Sequence, residues 1–285
     1  MNPQKTKSLA ALHGSIALFG FAGLFGRMPL HPVLIVLGRV FFASVFLGSF
    51  LACMRTPAVK NRRTLLVMAG TGVLLGFHWL MFFHAIHISS VSVGLISFST
   101  FPVFVVFLEP LFFHTKIQKT YIAAAAAVSA AVILIVPEYN FSHAVFRGVF
   151  WGVLSGVSFA VITLINRTWV QRTNPVFMAL IQDVCACIVL IPLGVPLIHQ
   201  LNIRMVLFLI LLGVVFTGAA HTLFIYGLRH TNAVKAGIFA SLEPVYGCLA
   251  AFVLLHEVPD LRVIAGGCII IAVSVYIAVL RSAVK

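Results

Sequence analysis

Charged side chains are scarce in this sequence. Asp, Glu, Lys and Arg together make up 9% of its 285 residues, whereas a soluble domain carries about 25%. Hydrophobic residues make up 61% and the mean hydropathy is +1.12, which is more apolar side chain than an interior core of this length can bury. The composition therefore excludes a soluble protein and predicts an integral membrane protein.

Motifs for nucleotide and metal chemistry are missing. The chain has no G-x-x-x-x-G-K-[ST] loop, and Gly70, Gly72 and Gly76 miss the G-x-G-x-x-G spacing by one residue. It has no H-E-x-x-H motif, and the five cysteines lie in apolar stretches without a disulfide or metal-binding pattern. We therefore expect no metal, no cofactor, no direct use of ATP and no enzymatic activity.

Acidic residues are also few, so 19 Lys and Arg against 6 Asp and Glu give a net charge of +13. In a soluble chain this excess would suggest a nucleic-acid partner. In a membrane protein it is typical of Lys and Arg in cytoplasmic loops, so we expect no nucleic acid. The partners that we expect are a small-molecule substrate and membrane lipid.

Long apolar runs alternate with short polar breaks along the whole chain. There are ten runs: 8–26, 31–54, 64–87, 89–113, 118–136, 146–169, 174–198, 203–228, 231–255 and 260–281. Each approaches or exceeds the roughly 20 residues that cross a bilayer as a helix. The first run follows Lys5 and Lys7, as in a signal peptide, but it is longer than a typical signal-peptide apolar region, so we predict a retained helix.

The distribution of basic residues predicts the orientation. With the N-terminus inside, the inner side would hold thirteen Lys and Arg: Lys5, Lys7, Arg55, Lys60, Arg62, Arg63, Lys116, Lys119, Arg167, Arg172, Arg229, Arg281 and Lys285. The outer side would hold four: Arg27, Arg147, Arg204 and Arg262. This bias places both termini in the cytoplasm and the protein in the cytoplasmic (inner) membrane as a multi-pass protein.

The two halves of the chain resemble each other at a shift of 142 residues. The matching pairs are Gly76 and Gly218, Phe82 and Phe224, Ser99 and Ser241, Pro102 and Pro244, and His114 and His256. Five spans per repeat would turn the second repeat upside down, as in many secondary transporters. We predict an all-α fold of ten transmembrane helices in two inverted five-helix repeats, 1–137 (segments 1–5) and 138–285 (segments 6–10).

Two runs of residues give the sequence a resemblance to a known family. The run from Ala240 to Gly247, followed by Leu254 to Glu257, is similar to the ninth-helix signature of the drug/metabolite transporter superfamily, in particular its EamA branch. The first half has Phe101 to Val103 and Leu111 to Thr115 at the matching place, with Thr115 where that family often has an acid. The resemblance implies a carrier of small organic molecules, commonly an exporter of amino acids or related metabolites.

Five charged residues lie within the predicted spans and outside their first and last three residues: Arg39, Glu109, Asp183, Lys235 and Glu243. Such residues usually face a bundle interior or a wet cavity. Glu109 and Lys235 are close enough to the cytoplasmic side to reach the interface. Glu243 lies near the midplane directly before Pro244, where it would bind a substrate ammonium, take up a proton, or form a structural hydrogen bond or ion pair.

Arg39 has Gln182 and Asp183 as its approximate equivalents in the second repeat. A buried Arg39–Asp183 ion pair would neutralise both charges and hold the repeats in register. The alternative is that Arg39 binds a substrate carboxylate.

The paired prolines mark a second group of candidates. Pro102 and Pro244 each leave a carbonyl four residues earlier without its helical donor, and Ser99 and Ser241 lie next to these points. At midplane such carbonyls are tolerated where protein or water satisfies them. The pattern predicts a cavity between the repeats at which the spans bend; the alternative is that both prolines serve packing alone.

Segment 3 carries His78 and Trp79, and the repeat equivalent of Trp79 is His221 in segment 8. Facing one cavity, these rings would bind a flat or cationic cargo, and His221 would change its charge near neutral pH. Simple packing of the histidines is the alternative. The predicted substrate pathway consists of these three rings together with Arg39, Lys235, Glu243 and the residues around the two prolines, namely Ser99, Pro102, Ser241 and Pro244.

The sequence therefore predicts a secondary transporter, an exporter or exchanger of small organic metabolites such as amino acids, working by alternating access. An integral membrane enzyme would need a convergent set of catalytic residues, and a channel would line its pore with polar rings. Those two classes remain as alternatives, as does an importer of a vitamin-like, nucleobase-like or cationic compound. Proton coupling and the choice between monomer and homodimer stay open.

Overall fold

A computed structural model describes residues 3–56, 59–114, 119–135, 140–231, 233–240 and 242–283, and every regular element in these ranges is helical. The α-helices are α1 (Pro3–Ala22), α2 (Pro32–Cys53), α3 (Arg62–Ile88), α4 (Val91–Phe98), α5 (Phe101–Phe113), α6 (Lys119–Ile135), α7 (Ala144–Trp169), α8 (Pro175–Gly194), α9 (Ile203–Gly213), α10 (Ala220–Gly227), α11 (Ala233–Ala240), α12 (Glu243–Leu255) and α13 (Leu261–Ala283). Short 3-10 helices lie at Gly23–Arg27 and Val195–Gln200, and a π-helix lies at Val214–Ala219.

Seven helical stretches of the described residues are long and apolar enough to cross a membrane. They are Thr6–Arg27, Pro32–Cys53, Arg62–Ile88, Val91–Phe113, Ala144–Trp169, Pro175–Gln200 and Ile203–Gly227. Three shorter apolar stretches follow the same pattern, namely Ala126–Ile135, Glu243–Leu255 and Leu261–Val273. The prediction of an all-helical protein with several spans is confirmed, and the count of ten stays a prediction.

The starts of several helices are fixed by short polar side chains. Asn61, Ser90, Asn174 and Asn202 each accept a hydrogen bond from a backbone N–H two or three residues further on, at 2.9–3.1 Å. This satisfies donors that the first turn of a helix leaves without an internal partner. These caps explain why each of the four helices begins directly after a polar break between the predicted apolar runs.

Two of the predicted spans are interrupted rather than continuous. The first consists of α4 and α5, which are separated by Ser99 and Thr100. The second consists of α11 and α12. Adding 142 to the first and last residues of α4 and α5 gives the first and last residues of α11 and α12. The structure thus repeats the 142-residue shift of the sequence in the length and position of four helices.

Proline and histidine occupy equivalent places in these interrupted spans. Pro102 and Pro244 are each the second residue of their half-helix, where a missing N–H costs no internal hydrogen bond. Each half-helix then ends at a histidine in the left-handed conformation, with φ of 52° at His114 and 54° at His256. The bends expected at the two prolines are therefore breaks between separate helices, because a proline is better accommodated in a first turn than inside a helix.

The main helix contacts join the first half of the chain to the second. Helix α2 packs against α8, α3 packs against α7 and α8, and α1 packs against α10 and α12. The centre of the molecule consequently lies between the two halves.

One of these contacts brings two backbones together. A Cβ atom placed on Gly72 of α3 would lie 2.7 Å from the Cα of Gln182 of α8, closer than real Cβ atoms approach other atoms, whereas the same addition at Gly70 meets nothing within 4 Å. Glycine at residue 72 therefore permits the direct approach of α3 to α8.

Candidate functional site

A small cavity lies where the two halves meet. Its lining residues are Phe19, Ala22, Arg39, His78, Trp79, Phe82, Phe98, Phe159, His221 and Glu243. The space for water-sized molecules is about 30 Å³, and one water needs roughly 10–15 Å³. The cavity thus has room for a few waters and is too small for an organic metabolite in this conformation.

Arg39 is the cation of the cavity. Its side chain projects from α2 and is 2% exposed. Its Nε donates to Thr217 Oγ1 at 2.9 Å, its Nη2 donates to the Phe216 carbonyl at 3.4 Å, and its Cζ lies 4.1 Å from the ring centroid of Trp79. Hydrogen bonds on one side and an aromatic face on the other fix the guanidinium in place.

The acceptors for Arg39 belong to the π-helix at Val214–Ala219. Thr217 Oγ1 donates to the Leu212 carbonyl five residues back at 2.8 Å, while it accepts from Arg39. Single π-turns often occur at functional sites because they redirect side chains within an otherwise regular helix. This element was not predictable from the sequence, since an apolar run shows no sign of one widened turn.

The predicted ion pair between Arg39 and Asp183 does not form. The π-helix presents its acceptors to Arg39, while the nearest charged partner of Asp183 is His221, with 3.7 Å between Asp183 Oδ1 and His221 Nδ1. Gln182, the other predicted equivalent of Arg39, donates through Nε2 to Asn166 Oδ1 at 2.6 Å. The repeat register therefore brings Arg39 and Asp183 into one region of the core but does not make them direct partners.

The three predicted rings border the same cavity. The Nδ1 of His78 lies 3.0 Å from the Ser155 carbonyl, so in the tautomer with a hydrogen on Nδ1 it donates to that oxygen. The His78 ring also stacks on Phe159 at 4.9 Å. His221 lies edge-on to Trp79 at 5.8 Å. His78 thus has a firm packing role, whereas His221 touches Trp79 and Asp183 without a hydrogen bond.

Ser99, Pro102 and Pro244 are not among the residues that line the cavity. Ser99 is buried, and its Oγ donates to the carbonyl four residues back in its own helix at 2.8 Å. Pro102 and Pro244 are buried in the first turns of α5 and α12. Ser241 lies outside the described residues, as does the side chain of Lys235 in α11.

Most of the cavity wall is aromatic, and sequence reasoning missed it. Phe19, Phe82, Phe98 and Phe159 come from α1, α3, α4 and α7 and surround the polar groups. The chain contains 26 Phe residues, so composition alone does not indicate which of them lie inside. Aromatic walls with one Arg and one Glu suit a molecule that has an apolar or flat body and carries charges.

A carboxylate outside the cavity connects the two halves. Glu257, just after α12, accepts hydrogen bonds from Val91 N at 3.1 Å and from Ser92 N and Oγ at 2.9 Å each. These donors belong to the first turn of α4, where a negative charge is favourable. The end of α12 is thereby fixed to the start of α4.

Comparison with known proteins gives consistent matches over most of the chain. The EamA-like transporter family matches residues 7–136 and 146–279. An uncharacterized transporter of Bacillus subtilis (strain 168), YxxF, is 24% identical over 90% of this chain and 85% of its own. The S-adenosylmethionine uptake transporter of Rickettsia bellii (strain RML369-C) is 23% identical over 87% of this chain and 84% of its own. A crystal structure of a protein that is 14% identical superimposes with a TM-score of 0.70 over 96% of this chain and 97% of the other, which shows a common fold.

Proposed function

Because the chain belongs to the EamA-like transporter family and is a multi-pass membrane protein, we propose that it is a secondary transporter of a small organic metabolite across the cytoplasmic membrane. The observation that carries this proposal is the cavity between the two halves, where Arg39 and Glu243 border aromatic walls. The cavity is too small for such a cargo in this conformation, so the cargo must enter a wider form and leave from another. This is the requirement of alternating access.

The cargo that this cavity fits best is an amino acid or a derivative of one. Arg39 suits a carboxylate and Glu243 suits an ammonium group, while the phenylalanines suit an apolar or flat remainder. Export or exchange of such a metabolite is the first candidate function. The second is uptake of S-adenosylmethionine, which joins an amino acid to a flat base and a sulfonium cation; several relatives are named for that activity.

We also propose that the fold comprises ten spans in two inverted repeats, with both termini in the cytoplasm. The two matched segments, 7–136 and 146–279, and the equal shift of the half-helices support an internal repeat. The excess of Lys and Arg on alternate breaks supports the orientation. In this arrangement the hydrogen bonds of Glu257 to α4 close the outer end of the protein.

Cysteine labelling tests this topology. Cys53 is exposed at the end of α2, on the proposed inner side, and His199 is exposed on the proposed outer side. We expect an impermeant maleimide added to intact cells to label a His199→Cys variant but not native Cys53. Lysed cells are the control, in which both positions should react. Labelling of Cys53 in intact cells would overturn the orientation.

Flux into liposomes tests the function. We expect the purified protein to catalyse saturable uptake of radiolabelled S-adenosylmethionine or an amino acid that unlabelled compound inhibits. The other classes predict different results: a channel gives flux that does not saturate, and a membrane enzyme gives a chemically changed product without net flux. Either result, in place of saturable and competable uptake, would refute the transporter proposal.

A further inference from the structure

Asp183 and His221 form a buried polar pair that lacks hydrogen bonds. Asp183 is 0% and His221 is 1% exposed, and both carboxylate oxygens and both ring nitrogens have no hydrogen-bond partner among the described residues. Buried polar groups are nearly always hydrogen-bonded, because an unpaired group retains the full cost of leaving water. Four such atoms in two neighbouring side chains indicate that the pair binds a ligand or changes its protonation state.

The distance within the pair suits a site for one proton. Asp183 Oδ1 and His221 Nδ1 are 3.7 Å apart, slightly too far for an N–H···O bond of about 2.7–3.2 Å. A hydrogen on His221 Nδ1 would complete a charge-assisted hydrogen bond to Asp183 after a small movement, and one additional proton on the ring would make the pair an imidazolium and a carboxylate. A metal ion would need further ligands, and no group of three suitable side chains exists in the described part of the chain.

The charged groups around the pair leave a net negative charge, which one additional positive charge would balance. The facing groups are Arg39 on α2, His78 on α3, Cys187 on α8 and Glu243 on α12. Helix α1 also packs on α10, and its described titratable side chains, Lys7 and His13, are exposed. With both acids ionised and the histidines and cysteine neutral, Arg39, Asp183 and Glu243 sum to −1. Burying a net charge is costly, so one proton would remove that cost, as would a bound substrate of net charge +1.

We propose that Asp183 and His221 bind one proton, and that this proton is taken up and released once in each transport cycle. His221 borders the cavity and Asp183 lies behind it, so the proton reaches the pair through the cavity. The uptake step joins a proton from water to the Asp183–His221 pair, and release returns it to water when a bound cargo of net charge +1 supplies the positive charge instead. The cycle part of this inference rests on the proposed transport function, whereas proton binding itself does not.

Trp79 provides a direct test of proton binding. Its ring lies edge-on to His221, and a protonated imidazole quenches indole fluorescence. In a variant with Trp151→Phe and Trp169→Phe, we expect the fluorescence of the purified protein to show a one-proton transition when the pH is varied. His221→Gln should abolish the transition and Asp183→Asn should move it. A signal without a transition, or one that neither variant alters, would overturn the proton site.

Liposomes with an internal pH dye test the cycle. We expect a gradient of S-adenosylmethionine, whose carboxylate, ammonium and sulfonium groups sum to +1, to move about one proton per molecule in the wild type, in line with the charge count above. In Asp183→Asn, exchange of labelled for unlabelled S-adenosylmethionine should continue while proton movement is lost, because Asp183 lies behind the cavity and does not line it. His84→Gln is the matched control, since His84 packs on Trp151 away from the pair and should leave coupling unchanged.

The two tests separate the possible failures. Full proton movement in Asp183→Asn, or substrate flux without proton movement in the wild type, would refute proton coupling through this pair. Complete absence of flux in the wild type would refute the transport function instead, while the fluorescence titration would still decide whether the pair binds a proton.

Discussion

Replacement of Glu243 by Gln is expected to lower the transport rate by at least about tenfold without reducing the amount of folded protein in the membrane. Gln keeps the size and hydrogen-bonding capacity of the side chain but removes its charge, so a substrate ammonium loses its charged acceptor. A hydrogen bond to a charged group contributes roughly 1.5–3 kcal/mol, and 1.4 kcal/mol corresponds to a factor of ten. The rate of saturable uptake into liposomes measures this loss.

The same substitution should flatten the dependence of the transport rate on pH. Without the Glu243 carboxylate the buried charges of Arg39 and Asp183 already balance, so an additional proton is no longer favoured. Asp260→Asn is the matched control, because Asp260 is exposed and its side chain caps the start of α13, a role that Asn also fulfils. Wild-type flux with an unchanged pH profile in Glu243→Gln would assign Glu243 a purely structural role.

Replacement of Arg39 by Lys should raise the KM for the substrate by about tenfold or more. Lys keeps the positive charge, but its ammonium cannot donate to Thr217 and the Phe216 carbonyl, lie flat on Trp79 and present a planar pair of donors to a carboxylate at the same time. The concentration dependence of flux measures KM.

Arg204→Lys serves as the control for Arg39→Lys. Arg204 also lies over an aromatic ring, that of Phe208 at 5.9 Å, but it is exposed and outside the cavity, so its replacement should leave KM unchanged. The thermal unfolding temperature of both variants shows whether a loss of packing accompanies the change. An unaltered KM in Arg39→Lys would exclude Arg39 from substrate binding.

The polar residues that line the cavity were predictable because charged and imidazole side chains in a span are rarely exposed to lipid. A charged or imidazole side chain in an apolar span avoids the bilayer, so Arg39, His78, His221 and Glu243 had to face the interior. The repeat register added Trp79 as the partner of His221. The sequence therefore indicated which polar residues would meet, without giving their mutual distances.

Other parts of the site depend on backbone geometry that the sequence does not encode visibly. Arg39 binds Thr217 instead of Asp183 because a π-helix widens one turn, and Val214–Ala219 contains no residue that marks it. Ser99 satisfies its hydroxyl within its own helix and so has no need of the cavity. Phe98 and Phe159 line the cavity because of the way that α4 packs on α7, which hydrophobicity alone cannot distinguish from contact with lipid.

At Gly72 the backbone of α3 lies directly on that of α8 at Gln182, with no side chain between them. Helices that touch through side chains can slide by changing rotamers, but two backbones in contact have no such freedom and keep a fixed spacing. Since α3 and α8 belong to different halves of the chain, the proposed alternating access would have to move the halves while keeping this close contact. We therefore expect the spacing of the two helices at Gly72 to change less than the spacing of their ends.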